Sequence, residues 1–127
     1  MVALADLMNR NVVTVAPDAP VAEAAARMVR AKVGSTVVMQ SSFLAGILTE
    51  RDVLRAAASG KDLASSPVSE WMTPDPQSAS PTSSADDAAQ LMMLNGFRHL
   101  PVVDDGVVCG VVSLRELFAA RISRPPA

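Results

Sequence analysis

Gly46-Ile47-Leu48-Thr49-Glu50-Arg51-Asp52 returns 64 residues later as Gly110-Val111-Val112-Ser113-Leu114-Arg115-Glu116. In both stretches an apolar run ends on a hydroxyl, and an acid follows three residues on. Worked outward at the same offset, the match runs without a gap over Leu7 to Leu54 and Trp71 to Phe118. It pairs Met8 with Met72, Pro17 with Pro81, Ala24-Ala25 with Ala88-Ala89, Met28 with Met92, Val38 with Val102, and Arg51 with Arg115. Prolines and glycines are among the matched positions, and their backbone roles are the hardest to substitute. An internal repeat therefore organises the chain.

Each copy begins with a short extended piece, Val12 to Val15 or Gln77 to Ala79, followed by a proline turn and a helix. Val21, Ala24, Ala25, Met28 and Val29 recur at helical spacing, as do Ala85, Ala88, Ala89, Met92 and Met93. Ser84 with Asp86 and Asp87 reads as a cap with first-turn acids, and Asn95-Gly96 as a stop. Two β-branched runs follow each helix: Thr36 to Met39 with Phe43 to Leu48, and Leu100 to Val103 with Val107 to Val112. Asp104-Asp105-Gly106 reads as the hairpin turn in the second copy. The expected fold is α+β (mixed α/β), with two β-α-β-β-α repeats. One repeat of about 50 residues buries too little surface alone, so the two are expected to pack around a pseudo-twofold axis. The expected organisation is repeat 1 over 7–55, a linker over 56–70 that contains Gly60 and Pro67, repeat 2 over 71–122, and a loose tail over 123–127.

Composition narrows the function. At 127 residues the chain is expected to be one compact unit rather than a multidomain enzyme, and 50% hydrophobic residues argue against disorder. Eleven basic against thirteen acidic residues give a net charge of −2, without the positive excess that nucleic-acid binding draws on. No apolar stretch reaches the roughly 18 residues needed to cross a bilayer, and no secretory signal opens the chain. The single cysteine, Cys109, permits no intrachain disulfide and fits a reducing cytoplasm. One histidine and one cysteine make no metal cage, and there is no P-loop, dinucleotide fingerprint or nucleophile elbow.

The Thr49–Asp52 and Ser113–Glu116 spacings have a structural explanation: a hydroxyl cap with an acid at the third helical position is a capping box. They also have a functional one. A helix amino terminus offers N–H groups and positive dipole to an anion, and a carboxylate there can hold a sugar diol. The two roles are compatible.

The doubled unit, the hairpin Arg98-His99-Leu100-Pro101-Val102-Val103-Asp104-Asp105-Gly106 and the Gly46 to Asp52 stretch together resemble a tandem pair of cystathionine-β-synthase (CBS) domains, a Bateman module. The resemblance spans nearly the whole chain and implies a stand-alone bacterial-type CBS protein. It implies a ligand cleft between the repeats for an adenosine-containing molecule: AMP, ADP, ATP or S-adenosylmethionine. Carried over, Asp52 binds the ribose hydroxyls and Thr49 sits near sugar and phosphate. Arg98 and His99 face the phosphates, Ile47, Gln77 and Pro101 wall the adenine, and Arg51 is a weaker candidate that also reads as a solvated charge. The arginine fork and a neighbouring imidazole are suited to phosphate on chemical grounds as well.

The symmetry-related cleft departs from this pattern. Ser113 and Glu116 replace the threonine and aspartate, and Gly34 and Ser35 stand where Arg98 and His99 would match, leaving Lys32 as the nearby cation. One good site per chain is therefore expected, with the second cleft weak or empty. Cys109 and most methionines read as core, and Trp71 fits either an interface or ordinary burial. The leading function is a non-catalytic, cytoplasmic regulatory module. It needs no cofactor, takes an adenine nucleotide or S-adenosylmethionine as ligand, associates as a homodimer and acts on an unidentified regulated protein. The alternative is a structural or partner-binding dimerisation module with unoccupied clefts. A small hydrolase lacks a general base paired with a nucleophile or metal.

Overall fold

The computed structural model describes residues 2–123, with side chains through Ala120. The chain forms two compact units whose borders do not coincide with the sequence repeats. One is Val12–Pro76; the other joins the residues up to Asn11 to those from Gln77 onward.

In the Val12–Pro76 unit, β1 (Thr14–Val15), β2 (Ser35–Gln40), β3 (Phe43–Thr49) and β4 (Thr73–Pro74) lie in the order β1-β2-β3-β4. The β1–β2 pair is parallel, and the other two pairs are antiparallel. Helices α1 (Val21–Ala31) and α2 (Glu50–Ala58) complete the unit. Val21, Ala24 and Met28 are the buried stripe of α1, at the spacing that places one helix face inward. With Val15, Val38, Leu48, Ala56 and Val68, Val21 and Ala24 form the core of the unit.

The other unit contains α3 (Ala85–Asn95), β5 (His99–Asp104), β6 (Val107–Ser113) and α4 (Leu114–Ser123). The Ser84 hydroxyl accepts from the Asp87 amide, and Gly96 ends α3 in the left-handed region at φ 75°. The turn between β5 and β6 holds Asp105 at φ 51° and Gly106 at φ 79°, the two positive angles that a two-residue hairpin matching strand twist requires. The extended piece expected over 77–79 narrows to a single parallel bridge, Ala79 to Val102. An antiparallel bridge, Asn9 to Val111, lies on the other side of the hairpin. These bridges match the β1–β2 and β3–β4 pairings at the constant offset, so both units follow one strand plan, with the outer strands shortened in the second.

The lead-in of each repeat packs against the other repeat. Leu4 and Met8 join Ala88, Met92, Leu100, Val102, Val112 and Leu117 in one core, while Val68 lies in the other. Matching hydrogen bonds fix the lead-ins: Leu4 N to Ser83 O at 2.9 Å and Val68 N to Ala19 O at 2.8 Å. The stretch 56–70, read from sequence as a connection, thus supplies Ala56, Ser66 and Val68 to buried positions. Of the tail expected over 123–127, residues 124–127 lie outside the described residues.

Two glycines admit these lead-ins. A Cβ on Gly46 would fall 2.5 Å from Met72 Sδ and 2.8 Å from the Thr73 carbonyl oxygen. On Gly110 the three nearest atoms it would meet all belong to the Met8 side chain, the closest at 2.6 Å. Gly46→Ala is expected to cost about 1–3 kcal/mol of folding free energy in urea denaturation, and Gly110→Ala less, because a methionine side chain can shift where a strand carbonyl cannot.

Candidate functional site

The turn from β3 into α2 places Thr49 and Asp52. Thr49 is the amino-terminal cap of α2: its Oγ1 accepts from the Asp52 amide at 3.3 Å, and Asp52 Oδ2 accepts from the Thr49 amide at 2.9 Å. Thr49 Oγ1 lies 3.1 Å from Asp52 Oδ2, and Arg55 Nη1 donates to Asp52 Oδ1 at 3.0 Å. Asp52 is buried, at 7% exposure. Arg51 points outward beside it as an exposed residue, and among the described residues it makes no ion pair. Ile47, in β3, is buried at 5% exposure.

The turn from β6 into α4 repeats the arrangement. Glu116 Oε1 accepts from the Ser113 amide at 3.0 Å, and Ser113 Oγ accepts from the Glu116 amide at 3.1 Å. The extra methylene of Glu116 does not prevent closure of the box, which glutamate commonly closes from this helical position.

Strand register sets which of the sequence-predicted residues adjoin. His99 opens β5 opposite Ser113, and the Leu114 amide donates to the Arg98 carbonyl at 2.8 Å. Arg98, His99, Ser113 and Glu116 therefore share one end of one hairpin. In the other unit Ser35 lies opposite Thr49, and the Glu50 amide donates to the Gly34 carbonyl at 2.9 Å. Lys32 sits nearby as the left-handed residue ending α1, at φ 58°, the position that Gly96 fills after α3. Arg98 and Gln77 are exposed, His99 is half-buried, and Pro101 is among the fully buried residues. The sequence-based groups each draw on both units. The main group takes Ile47, Thr49, Arg51 and Asp52 from one and Gln77, Arg98, His99 and Pro101 from the other.

Sequence reading missed Arg55 and its neighbourhood. Its guanidinium lies 5.6 Å from the centroid of the Trp71 ring, and Lys61 Nζ lies 6.0 Å from it. The i,i+3 spacing from Asp52 was a legible signal for the ion pair; the contact with Trp71, from the far end of the connection, had none. A separate open hollow of about 480 Å³, lined by Thr14, Asp18, Glu23, Arg27 and Met39 among others, contains none of the predicted residues. Among the described residues no cluster of three potential ligands could hold a metal ion. No described helix is long and apolar enough to cross a membrane.

The CBS domain family matches the chain twice, over residues 4–59 and 68–123. The chain belongs to the CBS-domain family. The two matches start at Leu4 and Val68, the residues that lead into the exchanged segments. The CBS domain-containing protein YhcV of Bacillus subtilis is 38% identical over all of this chain and 91% of its own. The CBS-domain containing protein ATU1752 of Agrobacterium tumefaciens has a solved structure that matches with a TM-score of 0.87 at 34% identity, covering 94% of this chain and 99% of that one. The CBS domain protein PAE2072 of Pyrobaculum aerophilum, solved in complex with AMP, matches with a TM-score of 0.83 at 27% identity, over 91% of this chain and 89% of that one.

Thr49→Ala is expected to lower folding stability by about 1 kcal/mol in urea denaturation, through loss of the side-chain acceptor for the Asp52 amide.

Proposed function

We propose that the chain is a regulatory module that binds an adenosine-containing ligand and does not catalyse a reaction. The observation that carries this reading is the AMP complex of the similar Pyrobaculum CBS protein. It is supported here by a cap that holds a hydroxyl and a carboxylate side by side, the carboxylate's Oδ1 facing the exposed Arg55, and by an arginine and histidine adjacent in sequence and suited to phosphate. In the proposed site Asp52 takes the ribose hydroxyls and Thr49 lies near sugar and phosphate. Arg98 and His99 take the phosphates, Ile47, Gln77 and Pro101 flank the base, and Arg51 lies at the margin. AMP, ADP, ATP and S-adenosylmethionine all belong to the ligand class, and the module works in the cytoplasm upon a separate regulated protein.

A second grouping is favoured by a specific observation. Arg98, His99, Ser113 and Glu116 share one hairpin end through the His99–Ser113 register, so the sugar of a phosphate-anchored ligand can lie on Glu116 instead of Asp52. Titration with AMP separates the two. Binding of a ligand to the folded state raises its melting temperature, by about 5–15 °C at a hundredfold excess over Kd. Asp52→Ala is expected to abolish that rise and Arg98→Ala to reduce it. Loss with Glu116→Ala and retention with Asp52→Ala selects the second grouping, and no shift with any adenosine compound favours a ligand-free dimerisation module.

We also propose that the chain is a homodimer that pairs through its helices. Large apolar residues are exposed at matched helix positions of the two repeats: Val29 with Met93 and Leu54 with Phe118. Leu54 on α2 is 70% exposed. Sedimentation of the purified protein is expected to give a dimer, and Leu54→Glu combined with Phe118→Glu a folded monomer.

A further inference from the structure

Within the Val12–Pro76 unit, one guanidinium joins the proposed ribose acid to an aromatic ring. Arg55 Nη1 donates to Asp52 Oδ1 at 3.0 Å, and the same group stands 5.6 Å from the centroid of Trp71. Asp52 Oδ2 is already occupied by the Thr49 amide and hydroxyl. The remaining capacity of the carboxylate is therefore at Oδ1, where Arg55 stands. The Asp52 side chain is 10% exposed and that of Arg55 59%, so the arginine is also the movable member of the pair. Beneath it, the Trp71 indole N–H is buried without an acceptor, so the ring is held by packing and by the cations over it rather than by a hydrogen bond.

The other repeat has no such arrangement. At the constant offset Asp52 corresponds to Glu116, Arg55 to Ala119 and Trp71 to Leu7. An ion pair along one helix would account for Asp52 and Arg55 alone. It does not account for the same guanidinium lying over an indole supplied by the lead-in of the other repeat, nor for the absence of all three side chains from the matching turn.

We infer that Arg55 is a latch on the Asp52 carboxylate. A ligand carrying a vicinal diol takes Oδ1 by displacing Arg55 Nη1, and the release is registered at Trp71. The inference rests on the proposed reading that Asp52 receives the ribose hydroxyls. It makes Arg55 a determinant of affinity and selectivity: a ligand with both hydroxyls can replace the arginine, whereas one lacking a hydroxyl cannot make both bonds to the carboxylate. An ion pair whose arginine is 59% exposed and a cation–π contact open to solvent are each modest, so the latch sets affinity within a factor of about ten and does not act as an all-or-none block.

The test uses the full chain, calorimetric titration with AMP and with 2′-deoxy-AMP, and the emission of Trp71, the single tryptophan. Arg55→Gln is expected to tighten AMP binding about three- to tenfold and to leave 2′-deoxy-AMP within about twofold of its original affinity. AMP should shift the wild-type emission toward that of Arg55→Gln, whose own emission AMP leaves unmoved. Lys61→Gln, which removes a cation from the ring without touching Asp52, should leave AMP affinity unchanged. If Asp52→Asn abolishes AMP binding while Arg55→Gln binds AMP equally or more weakly, or Lys61→Gln tightens it as much, the latch is overturned and the ligand reading stands. If neither the wild type nor Arg55→Gln binds AMP, the ligand reading fails and the latch fails with it.

Discussion

A methionine lying where a glycine has no side chain holds each half of this molecule closed. Met72 occupies the space over Gly46, and Met8 that over Gly110. A hairpin and two helices of about 50 residues present an apolar face too large to leave wet and too small to close on itself. The lead-in of the other repeat covers it, with Leu4 and Val68 inserted at matched places in the two cores. Backbone hydrogen bonds from both lead-ins to the residues before α1 and α3 fix the arrangement. Each unit is thus completed by the other repeat's chain, and neither sequence repeat cut at its own borders contains all the residues that fill its core.

That exchange is also what brings chemistry to the turn after β3. Trp71 belongs by sequence to the second repeat, yet it packs against the core of the first, where Arg55 spans between it and Asp52. The Asp52 carboxylate carries a structural demand and, in the proposed reading, a functional one. It receives the Thr49 amide as a helix cap requires, and what capacity remains faces a movable arginine. A capping carboxylate is held in one rotamer by the fold itself, which is the preorganisation a diol-binding acid needs.

Much of this was legible in the sequence. The constant offset, the two helices, the Asp105-Gly106 turn and both capping boxes follow from periodicity and local hydrogen bonding, which are properties of short stretches. The buried stripes are narrower than the periodicity suggests, since Val29 and Met93 are 76% and 61% exposed. The exchange of lead-ins was not, although Leu4 matches Val68 and Met8 matches Met72 at the same offset. A repeat alignment says which residues are equivalent but not which copy each one touches, because that depends on contacts far apart in the chain. The extended piece before α3 was read as a strand because its residues match β1, yet pairing there reaches only Ala79. In the candidate site, Thr49 and Asp52 were readable as a pair because three residues separate them. The adjacency of Arg98 and His99 to Ser113 and Glu116 comes from strand register, which the hairpin turn fixes and spacing alone does not display.

The internal repeat supplies its own control for separating structure from function. Both units use one strand plan, and several positions that serve it are identical in the two copies, Gly46 with Gly110, Met8 with Met72, Ala24 with Ala88, Val38 with Val102, while other core pairs exchange one apolar residue for another, as Leu4 with Val68. Several of the pairs that change chemistry lie around the strand-to-helix turns, Gly34 against Arg98, Ser35 against His99, Asp52 against Glu116, Arg55 against Ala119, and Leu7 against Trp71, while others, such as Arg27 against Leu91 and Arg30 against Leu94, lie along α1 and α3. Folding places the same demands on both turns, and both capping boxes close. Closure of the two boxes therefore does not depend on these differences, although Leu7 and Trp71 each also pack against the core of their own unit. Under the proposed ligand-binding reading, two turns with the same backbone task and different charged side chains suit different guests, which favours unequal sites within one chain over two copies of the same site.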